Sequence, residues 1–211
     1  MILPPARSRN RGSGPFPLLA TGFSVAGLVL VLAIAASVTL IAAPSAFQLT
    51  SALAVRSAAG EVRAALFEAR TQAIVRGRNV GLRFHKNGSR YEWALYVDGN
   101  GNGIRSTEIA KGLDRPLGIA IPWSRNDVFP GILTGTPVPD PGNPKLTLDR
   151  LDDPIRFNSS DICSFSAVGE STPGSVYLWD GHHRMAVVRV FGRTAKVRTL
   201  YYRRGEKEWK P

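Results

Sequence analysis

The 211-residue chain holds a single cysteine, Cys163, which excludes an internal disulfide; with no Cys-x-x-Cys pair or Cys/His cluster, a zinc-stapled fold is excluded as well. Gly-x-Ser-x-Gly, the P-loop, Gly-x-Gly-x-x-Gly and His-Glu-x-x-His are all missing, so no catalytic signature stands in the sequence. Cys163 has no identifiable base to activate it and reads as a small buried hydrophobe. Acids are scarce: 16 Asp and Glu face 27 Lys and Arg, for a net charge of +11. Such a balance favours an anionic partner, nucleic acid or lipid headgroups, without choosing between them. Charge of either sign is missing altogether between Arg11 and Arg56. What remains, 44% hydrophobic and 20% charged, is enough for a real core.

The basic residues gather at the two ends. Arg7, Arg9 and Arg11 precede any acid, and residues 182–211 carry nine basic side chains against Glu206 and Glu208. Inside the uncharged gap, Phe23–Ala43 is a run of 21 residues whose only polar side chains are Ser24, Ser37 and Thr39. As a helix it spans about 30 Å, the thickness of a bilayer's hydrocarbon core. The alternative is a cleaved secretory signal, for which Ala33-Ile34-Ala35 or Ala42-Ala43 would supply the site, although such signals have shorter apolar cores. Arginines ahead of the span place the N-terminus in the cytoplasm and everything after Pro44 outside.

From Ser45 to Arg76 the pattern stays helical, with a bend expected near Pro44. Val55, Ala59, Val62, Leu66, Ala69 and Ala73 form a narrow apolar stripe, for core packing or a coiled-coil stalk. Arg56, Arg63 and Arg70 recur every seven residues on another face, as do Glu61 and Glu68, and Gly77 ends the helix. The period then shortens to two. Val80–Phe84 and Tyr91–Val97 alternate as strands around Asn87-Gly88, a hairpin signal. Leu117–Ile121 reads as a further strand, Pro122–Pro154 as a long loop, and Ser175–Trp179, Met185–Phe191 and Lys196–Tyr202 as the closing strands. The expected fold class is α+β, a long N-terminal helix packed on an antiparallel β body. Residues 1–22, 23–44, 45–77 and 78–211 form its leader, membrane-spanning, amphipathic and globular parts.

A helix opened by Gly22-Phe23-Ser24, continuing through Leu28–Ile34 and Pro44 into an amphipathic segment with Ala69-Arg70, Ala73, Gly77 and Val80, resembles type IV pilins and type II secretion pseudopilins. The minor-subunit group containing GspH and FimT is the nearest. Phe165, Gly169, Gly174-Ser175-Val176, Asp180-Gly181 and Gly192-Arg193 resemble that group's C-terminal signature. The resemblance implies a pilin-like fold, leader cleavage after Gly22 by the prepilin peptidase, and N-methylation of Phe23. It also implies a single-pass protein of the bacterial inner membrane, its body periplasmic, that joins other pilins or pseudopilins through the N-terminal helix. No cofactor is expected, and without a catalytic constellation in the sequence catalysis is not expected either; a membrane-anchored envelope enzyme is the remote alternative. Where the group places a glutamate, four residues after the mature N-terminus, this chain has Gly27. That acid pairs with a neighbour's N-terminal ammonium, so Gly27 implies a tip position, weak insertion or a degenerate subunit.

Other patterns are read against plainer accounts. Asp98, Asn100, Asn102 and Gly103 match the start of a calcium loop, but its twelfth position is Ile109 and the nearest acid is Glu108; a Gly/Asn-rich turn explains the same letters. His182-His183 follow Asp180-Gly181 and read as a solvated turn. Arg193, Lys196, Arg198, Arg203 and Arg204, interleaved with Tyr201, Tyr202 and Trp209, form a candidate nucleic-acid surface; the plain alternative is a charged strand edge and frayed tail. Some FimT-like minor pilins bind DNA through basic residues near a Gly-Arg-x-Arg element, which reads Gly192-Arg193-Thr194-Ala195 here. DNA binding is therefore the second function expected.

Overall fold

A computed structural model describes residues 24–88, 90–158 and 160–211, with only the backbone of residues 40–48. The leader, its cleavage point at Gly22 and the mature first residue Phe23 lie outside the described residues. Helix α1 is Val25–Arg76. It is followed by strands β1 (Val80–Asn87) and β2 (Arg90–Val97), the short helix α2 (Ser106–Ala110), and strands β3 (Arg115–Pro116), β4 (Ile121–Pro122) and β5 (Phe129–Pro130). The chain continues through β6 (Ile155–Phe157), β7 (Ile162–Phe165), β8 (Gly174–Trp179), β9 (Arg184–Phe191) and β10 (Lys196–Arg203). Every strand pair is antiparallel.

The chain divides after Pro44. Ahead of that point, Leu28, Val29, Leu30, Val31, Leu32, Ile34 and Val38 each stand at least half exposed. The Ser37 and Thr39 hydroxyls donate back to the carbonyls of Ala33 and Ala35 at 2.8 Å, so neither presents an unpaired donor to the surroundings. Among the described residues no helix is long and apolar enough to cross a membrane. The run Phe23–Ala43 extends at both ends beyond the side chains described.

The body, Ser45–Pro211, is an α+β, pilin-like unit of one helix packed on two five-stranded sheets. In the first sheet β1 lies between β2 and β7, with β3 and β4 both on the far edge of β2. In the second, β10, β9 and β8 run side by side and β5 and β6 share the outer edge of β8. The expected stripe on α1 is the face that closes the core: Val55, Ala59, Val62, Leu66, Ala69 and Ala73 are all buried, with Ala58 beside them. They meet Val80, Leu82 and Phe84 of the first sheet, and Val176, Leu178, Ala186, Val188 and Val190 of the second.

The second sheet is apolar on its other face as well. Tyr177, Met185, Val187, Leu200 and Tyr202 alternate with the helix-facing residues and are covered by Ile132, Leu133, Val138 and Leu148 from the loop ahead of β6. The Trp209 indole locks that cover, donating to the Pro139 carbonyl at 2.7 Å and lying 5.3 Å from the Tyr202 ring. Burial on both faces explains the unbroken apolar run Met185–Val188. Packing also explains Gly174: a Cβ there would overlap the Arg156 carbonyl and the Phe157 ring.

Three expectations need correction. Leu117–Ile121 is not a strand: only Arg115–Pro116 and Ile121–Pro122 pair with β2, and the intervening chain bows out far enough to leave Ile119 89% exposed. The Leu117 N–H still reaches the Leu95 carbonyl at 2.8 Å, and pairing lapses over residues 118–120, where Gly118 begins the bow. The stretch Pro122–Pro154 is not wholly loop, since Phe129–Pro130 pairs with β8. Strands β6 and β7 and helix α2 were not expected; each is five residues or fewer, too short to show a period.

Neighbouring residues of α1 give a direct test of which face is sealed. Leu66→Ala is expected to cost about 2–5 kcal/mol of stability and Phe67→Ala about 0.5 or less, read by equilibrium urea unfolding. Equal losses would mean the helix is seated differently.

Candidate functional site

A second apolar line runs along α1 outside the core. Leu53, Phe67 and Ile74 are 56%, 45% and 53% exposed and fall at seven-residue spacing with Gly60, while Leu49 sits one turn earlier. Among the described residues a Cβ on Gly60 would touch nothing within 4 Å, so no packing among them requires a glycine there. The line therefore alternates large side chains with a notch. Arg56, Arg63 and Arg70 follow it three residues on. Arg56 lies over the Tyr201 ring at 5.5 Å, and Arg63 is exposed. On the helix's other flank Glu61 is already engaged by Arg125 at 2.8 Å, which also grips Asp127 at 3.0 Å.

The five basic residues expected to act together are split. Residues of β10 alternate between faces, so Lys196 and Arg198 share the outer face with Leu200 and Tyr202, whereas Arg203 lies on the helix side. Strand β10 also separates them by roughly 24 Å along its length. Arg193, Lys196 and Arg198 line one concavity of about 470 Å3 with Phe191. Opposite Arg198 in the register stands Arg189, 5.7 Å from the Phe191 ring. At the far end, Arg203 and Arg204 line a separate cleft with Ser51, Asp180, His182, His183 and Arg184.

The aromatic residues expected among them are not free to stack bases. Tyr202 and Trp209 are buried, and Tyr201 lies beneath Arg56. Nor is the tail frayed: Tyr201 and Lys210 exchange backbone hydrogen bonds of 2.7 and 2.9 Å. Ala195 stands in the second arginine position of the Gly-Arg-x-Arg element and is fully buried with φ +47°, a seat unsuited to a charged side chain.

The Asp98 loop satisfies itself. Oδ1 of Asp98 accepts the N–H groups of Asn100 and Gly101, and Oδ2 accepts those of Gly103 and the Asn79 amide. Asn100 and Asn102 turn their amide N–H groups to Glu108. Among the described residues no group of three or more His, Cys, Asp or Glu could hold a metal ion. Cys163 is buried on β7, and burial raises its thiol far above the ordinary value. His182 and His183 are exposed in the β8–β9 turn, as their sequence context suggests.

That turn is organised by Asp180. Its Oδ1 accepts the backbone N–H groups of His182, His183 and Arg184 at 2.8, 2.8 and 3.0 Å, and Oδ2 takes the Ser51 hydroxyl of α1 at 2.6 Å. The family model for type II transport protein GspH matches residues 58–192, from α1 through β9. The chain belongs to the GspH family. No curated protein and no solved structure matches it. GspH-family proteins are pseudopilin-type structural subunits of type II secretion that associate with other pseudopilins.

Within the GspH match, the signature positions have structural work in this chain. Gly174 admits Phe157 beneath β8, Gly181 turns at φ +77°, Gly192 packs against Pro173 and the Ser171 carbonyl, and Asp180 ties the β8–β9 turn to α1. Arg184 and the outward line on α1 escaped the sequence reading. The second had a signal, the seven-residue spacing from Leu53 to Ile74; Arg184 had none, because only the strand register brings it to Arg203.

Burial pushes the Asp180 carboxyl up, but the Ser51 hydroxyl and the N–H groups of Arg184, His182 and His183 together hold it below its usual value. A carboxyl whose pKa is depressed on folding adds stability that is fully present above its unfolded value near ~4 and is lost as pH falls through the lower folded value. Asp180→Ala is therefore expected to cost about 1–3 kcal/mol at pH 7. The gap from wild type should narrow in acid; a gap that stays constant in chemical denaturation down to about pH 3 would contradict this role of the carboxylate.

Proposed function

We propose that the chain is a minor pseudopilin of a type II secretion machine, anchored in the bacterial inner membrane by Phe23–Ala43, with its body on the periplasmic side. The observation that carries this reading is the outward apolar line of α1, which stays exposed among the described residues of the body and repeats at the spacing of helix–helix seams. A neighbouring subunit's helix seated on it would set a large side chain into the Gly60 notch and cover Phe67. The apolar run supports anchoring: its described side chains stand exposed, and Ser37 and Thr39 bond back into their own helix as lipid requires. The prepilin peptidase would cut after Gly22 and methylate Phe23. Gly27 offers no carboxylate to an earlier subunit's N-terminus, which suits a subunit that enters the pseudopilus at its tip, where none precedes it.

The membrane-extracted protein is expected to begin at Phe23, by N-terminal sequencing and intact mass. In cells, Phe67→Glu should abolish cross-linking to other pseudopilins and reduce secretion while leaving the body as stable as wild type. A start at Met1 or after Ala43, or a Phe67→Glu protein that assembles normally, contradicts the reading.

DNA binding is a second reading, favoured by the concavity that Arg193, Lys196 and Arg198 form with Phe191. Three basic groups beside one exposed ring suit weak, sequence-independent contact with a phosphate backbone. Duplex DNA should be shifted by the full chain in neutral detergent at roughly micromolar concentration in low salt and released as salt rises. Replacing Arg193, Lys196 and Arg198 with Gln should remove the shift, and wild-type protein that shifts no DNA even in low salt would dispose of this reading.

A further inference from the structure

Arg184 and Arg203 are directly opposed partners at the end of the β9–β10 hairpin. Like charges in that register repel. Among the described residues neither forms an ion pair. Arg204 brings a third guanidinium, one arm of which donates to the Thr134 carbonyl at 3.2 Å. These three with His182 and His183 line a cleft of about 430 Å3 whose remaining wall is Ser51 and Asp180.

The carboxylates nearby do not balance this charge. Both Asp180 oxygens are occupied by the turn and by Ser51, and Glu206, the acid that Arg203 faces, is held by Lys210 at 2.8 Å. The fold thus gathers three guanidinium groups around an open space against one carboxylate, Asp180, whose oxygens are taken up by backbone N–H groups and the Ser51 hydroxyl. An oxyanion bound between them would relieve the repulsion, and the planar guanidinium fork matches phosphate oxygens.

Position selects the source of that phosphate. Ser51 lies eight residues after Ala43, the last residue of the apolar run. Whatever course the chain takes, that tether keeps the cleft wall within about 28 Å of the end of the run. We infer that the cleft of Ser51, His182, His183, Arg184, Arg203 and Arg204 holds the phosphate of an anionic phospholipid headgroup at the membrane surface. This rests on the membrane-anchored reading above. It is separate from the Arg193–Arg198 concavity, which lies at the other end of β10, and it gives the body a second hold on the membrane that would fix its orientation relative to the bilayer.

The chain's three histidines supply the probe. His182 and His183 line the cleft, while His85, exposed on β1, serves as an internal reference. Full-length protein would be inserted into nanodiscs of phosphatidylcholine, with or without phosphatidylglycerol, and the rate of carbethoxylation at each histidine read by mass spectrometry. Phosphatidylglycerol should slow modification of His182 and His183 several-fold and leave His85 unchanged. The double variant Arg184→Gln/Arg203→Gln, checked for folding by circular dichroism, should lose the slowing; Arg193→Gln/Lys196→Gln should retain it. Equal rates in the two discs, or slowing that survives Arg184→Gln/Arg203→Gln, overturns the proposal. Inorganic phosphate added to phosphatidylcholine discs separates the sources: protection by free phosphate without protection by phosphatidylglycerol overturns the lipid assignment. Failure to enter discs of either composition overturns the anchored reading itself. The inorganic-phosphate arm, repeated in neutral detergent, would then judge the cleft alone, and unchanged rates there would refute it as a phosphate site.

Discussion

The structure depends on one contact, the seating of the Val55–Ala73 face of α1 against two sheets at once. Four alanines on that face, Ala58, Ala59, Ala69 and Ala73, keep it shallow, so that Leu66, Val55 and Val62 reach both Leu82 and Phe84 on one side and Val176 to Val190 on the other. The two sheets share that helix and much of one core. Arg125, bonded to Glu61 and Ser57 of α1, and Ser51, bonded to Asp180, tie the helix to loops at the margins of the contact. Those tethers add geometric definition, while the apolar seat supplies most of the driving force.

With one face of α1 committed inward, the character of its other faces becomes informative. A helix that served only as a scaffold would present a polar outer surface. Here the outer surface carries Leu53, Phe67 and Ile74 in line with a glycine, beside a file of arginines. The β8–β9 and β9–β10 turns likewise present cations at opposite ends of the hairpin and on opposite faces of its sheet. The body therefore offers three chemically distinct surfaces: an apolar seam, a basic concavity with one ring, and a cleft of opposed arginines.

Much of this was legible in the sequence where a period could express itself. The stripe from Val55 to Ala73 named the buried face, and alternation with the Asn87-Gly88 turn marked the long hairpins, whose strand ends fell within one residue of those observed save β1, which runs three residues beyond Phe84 to Asn87. Legibility failed where the decisive information lay in pairing between distant segments. Strands β6 and β7 are defined by β8 and β1, which supply their partners, and not by any pattern of their own. The basic residues looked like one cluster because they are close in sequence; the alternation of β10 sends Arg198 and Arg203 to opposite faces. Tyr202 and Trp209 looked available because they sit among charges, yet Tyr177 and the Pro139 carbonyl claim them.

The shared core has a consequence in time. Leu66 is made early and waits for Val176, Ala186 and Val188, more than a hundred residues later, before its face is fully covered. Contacts of such long sequence separation form slowly, because the loop between them must be closed before they return any stability. During that interval α1 is apolar on two sides, and a partner that shielded either side would act as a folding aid as well as a neighbour. The hairpin that completes the core thus sets the rate at which the helix stops being a hazard and becomes a subunit surface.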